Sequence, residues 1–133
     1  MKILTLLQDS GTNFLGVYVS REMVKQATNS RFECIKMRKG VYQCQNDNLV
    51  LFFHDDMIDT IEVVLDRFQL SELIEWNDLP LDRNDVMSWL KDKGVKLASK
   101  KPHIRNGDSI FTASGAELKF TDDRLERIRF TFE

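Results

Sequence analysis

One hairpin phrase is written twice in this chain. Phe53-His54-Asp55-Asp56-Met57-Ile58-Asp59-Thr60-Ile61-Glu62-Val63 is matched by Phe120-Thr121-Asp122-Asp123-Arg124-Leu125-Glu126-Arg127-Ile128-Arg129-Phe130, at a constant offset of 120 − 53 = 67 residues. The shared pattern is Phe-x-Asp-Asp-x-[Ile/Leu]-[acid]-x-Ile-x-[apolar]. It keeps turn formers and core-facing positions and lets the rest vary, as a duplicated β-hairpin would. Asx turns also recur in unrelated hairpins, so chance similarity is the competing reading. The constraint is architectural: it specifies strands and turns and does not require a reaction.

The rest of the chain fits around these hairpins. Residues 3–7 are an apolar strand candidate, Asp9 to Asn13 a turn cluster, and Leu15, Val17 and Val19 alternate briefly. Ser20 is placed to cap a short helix from Arg21 to about Thr28, with Glu22 in its first turn and Val24 and Ala27 on its apolar face. Phe32–Met37 and Val41–Gln45 read as strands joined by Arg38-Lys39-Gly40. Leu49–Phe53 is apolar on both faces, as expected of a central strand covered twice or lying at an interface. Residues 56–69 carry both helical and alternating spacing. The clean alternation of Ile128 to Phe132 tips Thr60–Leu65 toward strand.

Gln69–Trp76 is predicted as a short helix or turn. The clearest helix begins at Asp82, with Asp85 three residues on, Val86, Trp89 and Leu90 on one face, and Gly94 as its stop. Ile110–Thr112 and Glu117–Phe120 complete the strands. The expected fold is α+β: a mostly antiparallel sheet with short helices packed on it, in two similar helix-plus-hairpin halves, 15–65 and 81–132, of one compact domain spanning 1–133. Val24 and Val86 differ by 62, five fewer than the hairpins, so the loops between would have changed length.

Composition excludes more than it assigns. The formal charge is −2, so bulk charge gives no support to a nucleic-acid binder. No apolar run approaches a membrane span. The N-terminus lacks the pattern of a secretory leader, and the expectation is a cytoplasmic protein. Cys34 and Cys44 are too few for a disulfide framework; strands joined at Lys39-Gly40 would bring them near each other, and both are expected to be ordinary buried or half-buried thiols. They form no metal site, having no partner set nearby.

His54 and His103 are the only histidines, and neither has a recognisable nucleophile beside it, so both are read as surface or rim residues. Asp55, Asp56, Asp122 and Asp123 are read as turn residues: adjacent acids in a turn diverge, and opposed carboxylates are what glycosidase chemistry needs. The spacing and glycine of a calcium loop are absent, as is a phosphate-binding glycine loop. No catalytic residue, cofactor or metal is assigned, and the chain is expected not to be an enzyme.

Charge is unevenly distributed. From Asp55 to Asp85 there are ten acids and two bases, a net of 2 − 10 = −8; from Lys91 to Arg105 there are six bases and one acid, +5. The lysine-rich stretch lacks the interleaved aromatics of a nucleic-acid surface. An acidic rim holding a tryptophan suits docking to a basic protein, because charge steers the encounter and a buried aromatic carries affinity. The candidate protein-binding residues are Glu72, Glu75, Trp76, Asp78 and Asp82. The competing reading is a solvated acidic surface with Trp76 turned inward. The second apolar face of Leu49–Phe53 fits either a homodimer edge or a covering helix.

With Leu81-Asp82-Arg83-Asn84-Asp85-Val86 leading a helix, and Gly115 to Phe132 carrying Phe120-Thr121-Asp122-Asp123-Arg124-Leu125-Glu126-Arg127-Ile128, the layout resembles small bacterial immunity proteins of contact-dependent and other polymorphic toxin systems. The helix-plus-sheet duplication also looks like the plan of bacterial β-lactamase inhibitory proteins. The resemblance lies in pattern over much of the chain. It implies a cytoplasmic protein that binds a cognate toxin domain and blocks its active site or an essential surface. Many such toxins are nucleases with basic clefts, to which an acidic surface would present the charge of nucleic acid. The alternative is a generic regulatory or scaffold interaction domain without catalytic activity.

Overall fold

The computed structural model describes residues 2–9, 20–27, 29, 31–65, 70–98 and 108–132. The fold is α+β. Seven antiparallel strands form one sheet, and short helices pack on one of its faces. In chain order the elements are α1 (Ile3–Asp9), α2 (Arg21–Ala27), β1 (Glu33–Arg38), β2 (Val41–Asn46), β3 (Leu49–His54), β4 (Met57–Val64), α3 (Arg83–Asp92), β5 (Ser109–Phe111), β6 (Glu117–Thr121) and β7 (Arg124–Thr131). The sheet order is β1-β2-β3-β4-β7-β6-β5. Every neighbour except β4–β7 is also a neighbour in sequence, so the sheet is two meanders joined by one long-range ladder.

Alternation selects the buried face. Cys44, Leu51, Ile61 and Phe130 form one row across β2, β3, β4 and β7, and all are fully buried. Ile3, Leu6 and Leu7 of α1, Val24 of α2, and Val86 and Leu90 of α3 close the same core from above. β3 is an interior strand of the sheet; the described helices cover one of its two apolar faces, and the expected second cover or interface is not seen among the described residues. Leu49, Leu51 and Phe53 point to the helices. On the opposite face Val50 is still buried and Phe52 half-buried.

The two Asp-Asp turns share one backbone. Each is a two-residue loop closing a hairpin, His54 opposite Met57 and Thr121 opposite Arg124. Both central residues have positive φ: 50° and 65° at Asp55 and Asp56, 50° and 62° at Asp122 and Asp123. That is the type I′ pattern, whose twist matches the flanking strands and which Asp tolerates better than most residues. Each hairpin then carries one extra residue on its second strand, Asp59 and Glu126, where the register shifts. These bulges also lie 126 − 59 = 67 residues apart.

The helices repeat the relation at the shorter offset of 82 − 20 = 62. Ser20, ahead of α2, bridges to Met57, and Asp82, ahead of α3, bridges to Arg124. Ser20 Oγ accepts from the Met23 amide at 3.2 Å, and Asp82 Oδ1 accepts from the Asn84 amide at 3.0 Å. Both are N-caps that satisfy a helix donor otherwise left without a partner. At the other end of α3, Gly94 (φ +73°) donates to Lys91 and Val95 donates to Leu90. These are the two bonds of a Schellman stop, with Val95 and Leu90 both buried.

Two sequence expectations are overturned. Residues 3–7 are not a strand but the core of α1. Ile3, Leu6 and Leu7 recur at helical spacing on one stripe, and a five-residue apolar run does not reveal its period from composition. Cys34 and Cys44 are not thiols: they sit directly opposite on β1 and β2 and form a disulfide. Thr60 to Val64 is strand, within β4. Gln69 lies outside the described residues, and 70–76 contain turns and no helix. The alternation at Leu15, Val17 and Val19, the turn residues 10–13, His103 and the Lys100–Arg105 bases also lie outside them. No described helix is long and apolar enough to cross a membrane.

Candidate protein-docking surface

Residues 70–82 connect the first meander to α3 without regular secondary structure, yet they are fastened at several points. Ser71 donates its amide to Asn48 Oδ1 at 2.7 Å and its hydroxyl to Asn46 Oδ1 at 2.5 Å, tying the segment to the β2–β3 turn. Asn48 is fully buried, and this contact is what its side chain is there to make. Ile3 donates to the Glu75 carbonyl and Leu4 to Asn77 Oδ1, so α1 fixes the middle of the segment.

Trp76 to Leu79 is a second turn with two positive φ angles, 53° at Asn77 and 57° at Asp78, closed by the Leu79 amide on the Trp76 carbonyl at 3.0 Å. Both indoles of the protein brace it. Trp76 Nε1 donates to the Ser71 carbonyl at 3.3 Å, and Trp89 Nε1, from α3, donates to the Asn77 carbonyl at 3.2 Å. A loop held this way loses little further freedom on binding.

Glu72, Glu75, Asp78 and Asp82 are all exposed on this segment, and Trp76 is half-buried against the core beside them. Sequence proximity had grouped these residues. The structure adds their charge state as a set: none of the four, nor Asp85 in the first turn of α3, makes an ion pair with a described residue. The Glu75 carboxylate accepts from the Asn77 side-chain amide at 3.5 Å, and Asp82 serves its helix cap.

Several acids elsewhere are paired instead. Glu62 is nearly buried between Arg127 (3.0 Å) and Arg129 (3.1 Å), Asp56 lies 3.6 Å from Arg21, and Asp123 lies 3.9 Å from Arg83. Arg83 is the one base between positions 70 and 90. It turns toward Asp108 and Asp123 and over the Phe120 ring and makes no ion pair with the acids of this segment. Trp89 and its brace on Asn77 were not visible in the sequence as part of this surface; its helical spacing with Val86 and Leu90 marked it only as core.

The remaining polar groups form no comparable arrangement. His54 is exposed, with Nδ1 3.6 Å from the Asp55 carboxylate. No group of three or more metal-ligating side chains occurs among the described residues. An open depression of about 420 Å³ lies on the helix-free face of β1 and β2, floored by Glu33, Ile35, Gln43 and Gln45. The Glu126 pKa is displaced: the hydroxyl of Thr121, donated to Glu126, holds that carboxyl below the usual range, with Lys119 and Arg127 acting in the same direction against the cost of burial. Comparison of the chain with protein-family models, with curated proteins and with solved structures found no match.

Proposed function

We propose that this protein is a binding module that docks a basic protein through the surface formed by Glu72, Glu75, Trp76, Asp78 and Asp82. The observation that carries the reading is a cluster of exposed carboxylates on a braced loop, Glu72, Glu75, Asp78 and Asp82, none of which makes an ion pair with a described residue. Unpaired acids beside a half-buried indole attract a cationic partner and offer it an aromatic contact. Following the resemblance drawn from the sequence, the proposed partner is a bacterial toxin domain, such as a nuclease, neutralised by occlusion in the cytoplasm. A regulatory or scaffold role with another basic protein rests on the same surface and is the second reading.

We also infer that the two halves descend from one duplicated helix-plus-hairpin unit. The matched turn angles, bulges and helix caps support this, as does the ladder between β4 and β7. There Glu62 pairs with Arg129, its own counterpart 67 residues on, and the amide of Leu65 bonds to Glu126 as that of Phe132 bonds to Asp59. The first half carries four strands and the second three, so one strand would have been gained or lost.

The test is neutralisation without loss of fold. Glu72→Gln, Glu75→Gln, Asp78→Asn and Asp82→Asn remove four charges, while Asn preserves both the left-handed turn and the helix cap. The variant is titrated by calorimetry against the main partner recovered with the wild type by pull-down from the native organism, and growth protection is scored in cells producing that partner. Loss of affinity and protection with unchanged melting supports the reading. Full affinity in the variant removes the surface from consideration, and absence of any toxin binding by the wild type removes the immunity role.

A further inference from the structure

Among the described strands β1 lies at the edge of the sheet, with an unusual hold on the core. Of its six residues only Cys34 is shielded from solvent; Glu33, Ile35, Lys36, Met37 and Arg38 are all exposed. Phe32, just before the strand, is buried, but beyond it the side-chain attachment of β1 is the Cys34–Cys44 disulfide. Cys44 is fully buried in the row with Leu51, Ile61 and Phe130, so the bond fastens an otherwise superficial strand to the centre of the sheet.

The two strands it joins differ in what they would present as an edge. β1 carries Glu33, Lys36 and Arg38, and its register shifts between Lys36 and Arg38; charges and bulges are the devices that blunt an exposed edge. β2, Val-Tyr-Gln-Cys-Gln-Asn, has no charge, no proline and no bulge against β3. A guarded strand therefore covers an unguarded one.

We propose that the Cys34–Cys44 disulfide is a redox latch on this edge: its reduction releases β1 and makes β2 the sheet edge, while the rest of the fold stays closed. A dithiol reductant supplies two electrons and two protons. The S–S bond breaks, two S–H groups form, and the reductant becomes its own disulfide. Attack falls on the half-buried Cys34 sulfur, since Cys44 is inaccessible. The bond persists in oxidising compartments and is opened in reducing ones, so the state of the edge follows the compartment. The latch uses residues outside the acidic docking surface; in the reducing cytoplasm to which the partner reading assigns the protein, it would stand open.

Hydrogen exchange read by mass spectrometry tests it on the whole chain, oxidised and after dithiothreitol, with reduction verified by alkylation of two thiols. The cross-link closes a ten-residue separation, and the loop-closure effect of such a bond predicts exchange of the β1 amides faster by about ten- to a hundredfold on reduction. Amides of β3, β4 and β7 should hold their protection. A Cys34→Val, Cys44→Val variant keeps apolar bulk at both positions without the bond, and should exchange at β1 like the reduced protein with or without reductant. Unchanged β1 protection after reduction overturns the proposal. So does a parallel rise in β4 and β7, which would make the bond a staple of the entire fold.

Discussion

Glu62 and Arg129 stand directly opposite each other at the centre of the β4–β7 ladder, with the Arg129 Nε and Nη2 3.3 and 3.1 Å from Glu62 Oε2. Arg127 holds the other carboxylate oxygen at 3.0 Å. The pair sits where the two meanders meet, on the face without helices. Glu62 is shielded, whereas Arg127 and Arg129 are 30% and 43% exposed, so water screens part of the attraction.

Glu62→Arg places a third guanidinium beside two others and is expected to lower unfolding free energy by about 2–4 kcal/mol in urea titrations. Adding Arg129→Glu should recover more than half of the loss, because the positions face each other and their charges are exchangeable. A double variant no more stable than Glu62→Arg alone would mean that the ladder does not depend on this pairing.

Asp123 holds φ at 62°, a conformation costing a side-chain-bearing residue about 1 kcal/mol that glycine avoids. Its contact with Arg83 is long and exposed, and worth little. Asp123→Gly is therefore expected to raise the melting temperature by about 2–5 °C, and Asp123→Val, β-branched at the same φ, to lower it. Calorimetric scans of both variants provide the check.

At Asp82 the cap and the charge can be separated. Asp82→Ala removes the acceptor for the Asn84 amide and should cost about 1 kcal/mol of stability in chemical denaturation, while Asp82→Asn should cost less than half of that. If docking uses the charge, Asn will still weaken the partner, and the weakening should shrink as salt is raised.

Glu126 gives a pH prediction with a definite sign. Its folded pKa lies below the ordinary value, chiefly through the Thr121 hydroxyl. The stabilisation is present above the unfolded carboxylate pKa and is lost as pH falls through the folded one. Thr121→Val should move the Glu126 titration, followed by carbon NMR of the side-chain carboxyl, back up toward the ordinary range. Its destabilising effect should be present at neutral pH and fade in acid, where Glu126 is protonated in both proteins.

Parts of this molecule could be read directly from its residues. The Asp-Asp hairpins, the capped helix from Asp82 and the strand at Thr60 to Val64 were legible because turn chemistry, capping and alternation are local. α1 was not, because Ile3 to Leu7 has neither a cap signal nor enough length to display a period. The disulfide was not, because whether Cys34 meets Cys44 depends on the register between β1 and β2. The acidic stretch was legible as composition but not as electrostatics: Glu62 counts among its acids, yet is neutralised by arginines 65 and 67 residues away. Glu72, Glu75, Asp78, Asp82 and Asp85 are distinguished from Glu62 only once the fold has placed Arg83 beside Asp108 and Asp123.

The seating of α1 has a consequence for how this chain is made. The Leu7 carbonyl accepts from the Ser114 hydroxyl across a separation of 107 residues, and Ile3 bonds to Glu75. On a ribosome adding about 5–20 residues each second, the segment bearing Ile3, Leu6 and Leu7 emerges many seconds before its far partners exist. Those three apolar side chains wait uncovered while the first meander forms beside them. Until the segment carrying Ser114 has been made, α1 lacks this anchor, and its apolar side chains are open to chaperones as they are not in the finished fold.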